Sequence, residues 1–77
     1  MQVVLYSRPG CHLCDEARAV LVAARARTSF DLDEVDIESS DALIREFGLR
    51  IPVVAIEGRV EFEYSVDPRA LDALLET

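Results

Sequence analysis

The sequence predicts an α/β domain in which four strands and three helices follow one another as β-α-β-α-β-β-α. Three observations carry this. Apolar residues recur at helical spacing from Leu13 to Ala24; short apolar runs bounded by turn residues recur through the rest of the chain; and 77 residues leave room for only one small core, residues 1–77 reading as a single domain. A sheet layered with helices buries all of those faces together.

Residues 3–6 form a first strand that stops at Ser7-Arg8-Pro9-Gly10, a turn that delivers the chain to Cys11. Leu13, Ala17, Val20, Leu21 and Ala24 then mark the inward stripe of a helix through about Ala26. Asp15 and Glu16 lie in its first turn and Arg25 and Arg27 near its end, as the helix dipole favours. Residues 30–37 fit a second strand. Phe30 and Leu32 share one phase and Val35 and Ile37 the other, which suggests a bulge at Asp33-Glu34.

Ser39 or Ser40 caps a short second helix that points Leu43, Ile44 and Phe47 inward, and Gly48 is expected to end it in the left-handed conformation. Residues 52–56 make a third strand. Glu57-Gly58 is a hairpin turn, and Val60 and Phe62 supply the inward face of a fourth strand over residues 59–63. Asp67 caps the last helix, with Pro68 at its first position and Leu71, Leu74 and Leu75 as its packing stripe.

Fifteen acidic residues against eight arginines and no lysine give a net charge of -7, which repels phosphate backbones and anionic lipid heads, so neither nucleic acid nor a membrane is an expected partner. No apolar run approaches the ~20 residues needed to span a bilayer, and MQVVLYSRPG lacks the basic start and apolar stretch of a secretory signal. A monomer in the reducing cytoplasm is the expectation.

Cys11 and Cys14 are the only cysteines, and a disulfide between them would close too short a loop to staple the fold. Thiol exchange needs one thiolate that attacks and a second thiol close enough to resolve the mixed disulfide. At a helix start the i, i+3 spacing places both sulfurs on one face, with Cys11 at the more exposed cap and Cys14 one turn deeper. Cys11 is therefore the expected nucleophile and Cys14 the resolving thiol. Cap N–H groups and the helix dipole favour a negative sulfur, Arg8 and a protonated His12 can add to this, and Asp15 can oppose it.

Two other readings stand beside the redox dithiol: a zinc or iron-sulfur site shared between two subunits, and an inert pair of small core residues. C-x-x-C is half of a zinc site, but the other half is missing, and the only histidine, His12, lies between the cysteines and is badly placed to join them around one metal. The strand before the motif and the helix after it favour redox chemistry, for which no metal or other cofactor is expected.

His12 reads either as an exposed first-turn residue or as a charge near the sulfur, and Arg8 either as a solvated turn residue or as a substrate contact. Pro52 either marks a strand start or forms a cis Ile51-Pro52 bond that leaves the Ile51 main chain free to pair with an extended substrate.

The segments YSRPGCHLCDEA, GLRIPVV and EGRV resemble the glutaredoxin-like branch of the thioredoxin superfamily over essentially the whole chain. The resemblance implies a mixed sheet ordered 2-1-3-4, with the first and third helices on one face and the second on the other. It makes Cys11 the attacking and Cys14 the resolving cysteine, faced by a cis-proline loop at Ile51-Pro52. Typical members carry Cys-Pro-Tyr-Cys where this chain has His12 and Leu13. They also have Gly-Gly-x-x-Asp where it has Glu63-Tyr64-Ser65-Val66-Asp67, so only the aspartate of the glutathione-holding stretch is kept.

With Asp15, Glu61 and Glu63 expected near the dithiol against Arg8 and Arg50, glutathione is a doubtful partner. The expected substrate is a protein or peptide disulfide, served by an unidentified reductant. A redox-sensing or adaptor domain of the same fold is the alternative function.

Overall fold

β1 (Gln2–Ser7) buries Val3, Leu5 and Ser7 on one face and half-buries Val4 and Tyr6, as expected for a strand covered on both sides. In the computed structural model, which describes residues 1–76, it is followed by α1 (His12–Arg27), β2 (Asp31–Asp36), a 3₁₀ turn (Ile37–Ser39), α2 (Asp41–Phe47), β3 (Val53–Ile56), β4 (Arg59–Glu63) and α3 (Pro68–Leu75). The sheet order is β2-β1-β3-β4. β2 runs parallel to β1, whereas β3 is antiparallel to both β1 and β4. The expected element order and mixed sheet are both present.

One face of the sheet packs Val3, Leu5, Val54 and Ile56 against Ala17, Leu21 and Ala24 of α1 and Leu71 and Leu75 of α3. The other packs Val53, with Tyr6 and Ile51, against Ile37, Leu43 and Phe47 on the α2 side. Helices one and three thus share a face and helix two has the other. Leu21 and Leu71 have no exposed surface, so truncating either to alanine should cost about 2–5 kcal/mol. Among the described residues no helix is long and apolar enough to cross a membrane.

The structure corrects five local expectations. Pairing between β1 and β2 is continuous from Gln2↔Asp31 to Ser7↔Asp36, with no bulge at Asp33-Glu34. Leu32 sits beside Val3 and Val35 beside Tyr6, so the change of apolar phase reflects two covered faces. The bulge lies in the hairpin, where Val54 pairs with Phe62 but Ala55 with Val60, leaving Glu61 as the extra residue. That insertion turns Phe62 toward the α1 and α3 core and Val60 to the opposite face, where it is exposed.

Ile44 is also exposed, because Leu43 and Phe47, four residues apart, already define the inward stripe of the two-turn α2. Gly48 ends that helix in the right-handed region at φ -54°. A glycine is needed there for space: a β-carbon would stand 2.5 Å from the carbonyl oxygen of Ile44. Finally, Leu13 begins the α1 stripe but is 49% exposed. By contrast Glu57 and Gly58, with φ of 51° and 80°, make the expected hairpin turn.

Candidate active site

Strand β1 ends at Ser7, and residues 8–10 turn the chain into the N-terminus of α1, with Gly10 at φ 77°. Cys11 is the N-cap, in extended conformation at φ -87° and ψ 108°, and its sulfur accepts the Cys14 N–H at 3.1 Å. A first-turn amide that ordinarily lacks a helical partner is thereby aimed at a sulfur. Cys11 and Cys14 are joined as a disulfide with their α-carbons 5.2 Å apart. Cys14 is fully buried, whereas Cys11 is half-buried at the cap. A pair that can exist as dithiol or disulfide at this position is a thiol-disulfide redox site, and only its Cys11 side can be reached from outside.

Antiparallel pairing of Tyr6 with Val53 carries the start of β3 to the sheet end where the 8–10 loop emerges. Ile51-Pro52 is cis and occupies that end. Pro52 is buried and its carbonyl accepts the Tyr64 N–H at 2.8 Å, which ties the β4–α3 loop to the proline. Ile51 is half-buried against the α2-side core, and its main chain makes no hydrogen bond among the described residues.

Both arginines expected to supply positive charge are engaged elsewhere. Arg8 donates through Nη2 and Nε to Glu38 Oε2 at 2.9 and 3.3 Å. Arg50 forks onto Glu63 at 3.0 and 3.2 Å and lies over the Phe47 ring, 5.3 Å from its centre. His12 is the exposed first residue of α1, and its side chain makes no hydrogen bond or ion pair among the described residues. Glu61 lines a pocket with Met1, Ile56 and Leu74 to which neither cysteine contributes.

Asp15 is held by Arg18 at 2.8 Å, and Arg18 also grips Glu34 of β2, Nε to Oε1 at 2.6 Å. Ser7, buried at the end of β1, donates its hydroxyl to Glu34 Oε2 at 2.7 Å. The Arg18 hydrogen bond, with help from Ser7, holds the Glu34 carboxyl below the usual carboxylate range. Arg18 thus offsets the charge that Asp15 was expected to bring near the thiolate. The sequence reading missed this network, since its partners come from three elements; the i, i+3 spacing of Asp15 and Arg18 was the available signal. It also missed the conformation of Tyr64, which has φ 71° where typical relatives were expected to place a glycine.

Residues 2–76 match the family described as Glutaredoxin-like domain (DUF836). The chain is 32% identical over 77 residues to the uncharacterized protein Rv0508 of Mycobacterium tuberculosis, covering 94% of this chain and 79% of that one. Among solved structures it resembles the X-ray structure of protein XcR50 from X. campestris, with a TM-score of 0.80, 35% identity and coverage of 96% and 95% of the two chains. It also resembles the solution structure of protein Ne2328 from Nitrosomonas europaea, with a TM-score of 0.82, 32% identity and coverage of 96% and 89%.

Proposed function

This chain belongs to the glutaredoxin-like domain family, and on that premise we propose that it acts as a monomeric, single-domain thiol-disulfide oxidoreductase that reduces protein or peptide disulfides in a reducing compartment such as the cytoplasm. The observation that carries the reading is the asymmetry of the pair: Cys11 is accessible at a helix cap and Cys14 is buried beneath it.

In the reduced protein the Cys11 thiolate attacks one sulfur of a substrate disulfide, and the other substrate sulfur leaves as a thiolate and takes a proton. Cys14 then loses its proton and attacks the Cys11 sulfur. The Cys11–substrate bond breaks, the second substrate thiol departs, and the Cys11–Cys14 disulfide remains. Two electrons have passed from the dithiol to the substrate, and a thiol reductant restores the pair by the reverse chemistry. Ile51, whose main chain makes no hydrogen bond among the described residues, offers main-chain groups to an extended substrate, while Arg8 in the turn before Cys11 and His12 at the start of α1 flank the reactive sulfur in the chain.

Glutathione is a poor fit as partner. Arg8 already pairs with Glu38 and Arg50 with Glu63, so the carboxylates of glutathione would have to compete with a carboxylate in place at each guanidinium. Asp67 caps α3 by accepting the Arg69 N–H at 3.0 Å, which occupies one donor of a further anion site.

The test is a side-by-side rate comparison of the reduced protein with an intramolecular peptide disulfide and a glutathionylated peptide. Faster turnover of the peptide disulfide supports the proposal, and faster deglutathionylation contradicts the substrate assignment. No turnover of either would favour the redox-sensing alternative.

A further inference from the structure

The inward stripe of α1 starts one turn before the core does. Leu13, Ala17 and Val20 follow one another along one face of the helix. Ala17 is buried and Val20 half-buried, whereas Leu13, between the two cysteines, is 49% exposed. Across from them stands the β4–α3 loop, where Tyr64 is 53% exposed and Val66 is buried. These side chains, with Glu16 and Ser65, enclose a groove of about 240 Å³. That is below the roughly 300–1,000 Å³ of a site that takes a whole small ligand, and it suits one large side chain.

The conformation of Tyr64 is what turns this groove into more than a surface irregularity. Its φ of 71° lies in the region that favours glycine. The Ser65 N–H closes onto the Glu63 carbonyl at 2.8 Å around it, a tight turn of the strained kind, while the Tyr64 N–H is pinned to the Pro52 carbonyl at 2.8 Å. A non-glycine residue held in this way costs stability, and such outliers concentrate at ligand clamps. Here the strain holds an aromatic residue, backbone fixed, opposite Leu13. An exposed aromatic with a polar tip, on a backbone held before binding, is the kind of side chain that interfaces favour.

Charge narrows the occupant further. Glu16 lies on the rim with no ion pair among the described residues, while Arg8, Arg18 and Arg50 near the redox end are all paired with carboxylates. With a net charge of -7, an incoming chain is steered in by positive charge.

We propose that the groove between Leu13 and Tyr64 is a recognition site for an apolar side chain of a polypeptide substrate, adjacent to its disulfide and followed by a basic residue that meets Glu16. This rests on the reading of the chain as a polypeptide disulfide reductase and names the class of polypeptide.

Four peptides with one intramolecular disulfide test it, differing only beside one cysteine: leucine or serine, followed by arginine or glutamate. The reduced protein should favour the leucine-arginine peptide over the serine-glutamate peptide at least tenfold in kcat/KM, mainly through KM. Leu13→Ser and Tyr64→Gly should each shrink that preference at least fivefold, and Glu16→Gln should diminish only the discrimination between arginine and glutamate. Tyr64→Gly suits the backbone angle, so loss of folding does not confound it.

Equal kcat/KM for all four peptides, or a preference that survives both Leu13→Ser and Tyr64→Gly, overturns the proposal. A small non-peptide disulfide is the reference: if it too goes unreduced, the oxidoreductase reading has failed. The groove is then judged by NMR titration of the oxidised protein with a cysteine-free leucine-arginine peptide. Shifts centred on Leu13, Val20 and Tyr64 support it, and shifts elsewhere or none refute it.

Discussion

The Cys14 amide N–H donates to the Cys11 sulfur at 3.1 Å from one helical turn further along the chain. After reduction the same amide, with the N-terminal end of the α1 dipole, faces a sulfur that can hold a negative charge. The reduced protein is therefore expected to react with iodoacetamide at Cys11 near pH 6.5 faster than free cysteine does, since the free thiol (pKa ~8.5) is almost wholly protonated there. Peptide mapping should place the first label on Cys11. First labelling of buried Cys14, or a rate no faster than free cysteine, would contradict the role of the cap.

The Arg18–Glu34 contact predicts a pH-dependent stability. The folded carboxyl of Glu34 is lowered, chiefly by the Arg18 hydrogen bond, so its contribution is present above the ordinary value of ~4.3 and is lost as pH falls through the folded value. Arg18→Gln should lower Tm by a few degrees at pH 7, corresponding to at most about 1 kcal/mol for a partly exposed pair. The difference from the parent should close in acid below the folded value. A Tm difference independent of pH would contradict this account.

Two glycines should respond to alanine for different reasons. At Gly48 the new β-carbon would meet the Ile44 carbonyl oxygen at 2.5 Å, so the backbone has to shift, at a cost of about 1–3 kcal/mol. At Gly58 nothing lies within 4 Å and the cost is that of φ 80° alone, about 1–2 kcal/mol. Urea unfolding of the two variants should show Gly48→Ala at least as destabilised as Gly58→Ala. A neutral Gly48→Ala would mean that the crowding at the end of α2 is relieved without cost.

Much of this was legible because the relevant signals are local. Ala17, Leu21 and Ala24 betray α1 by spacing alone, and Cys11 and Cys14 announce the redox pair by position between a strand and a helix. What was illegible depends on distant partners. Val60 and Phe62 look equivalent until the extra residue Glu61 turns them to opposite faces. Arg8 and Arg50 look like free cations until the fold brings Glu38 and Glu63 to them. Leu13 obeys helical periodicity, yet about half of it is exposed, and periodicity says nothing of where a core ends.

The division of labour between the cysteines is tested most directly by mass spectrometry of the two serine variants mixed with a peptide disulfide. Cys14→Ser should retain attack through Cys11 and accumulate a mixed disulfide, because only the resolving step is lost. Cys11→Ser should accumulate none, since Cys14 is fully buried. Equal trapping by both variants, or trapping by Cys11→Ser alone, would contradict the assignment of Cys11 as the attacking thiol.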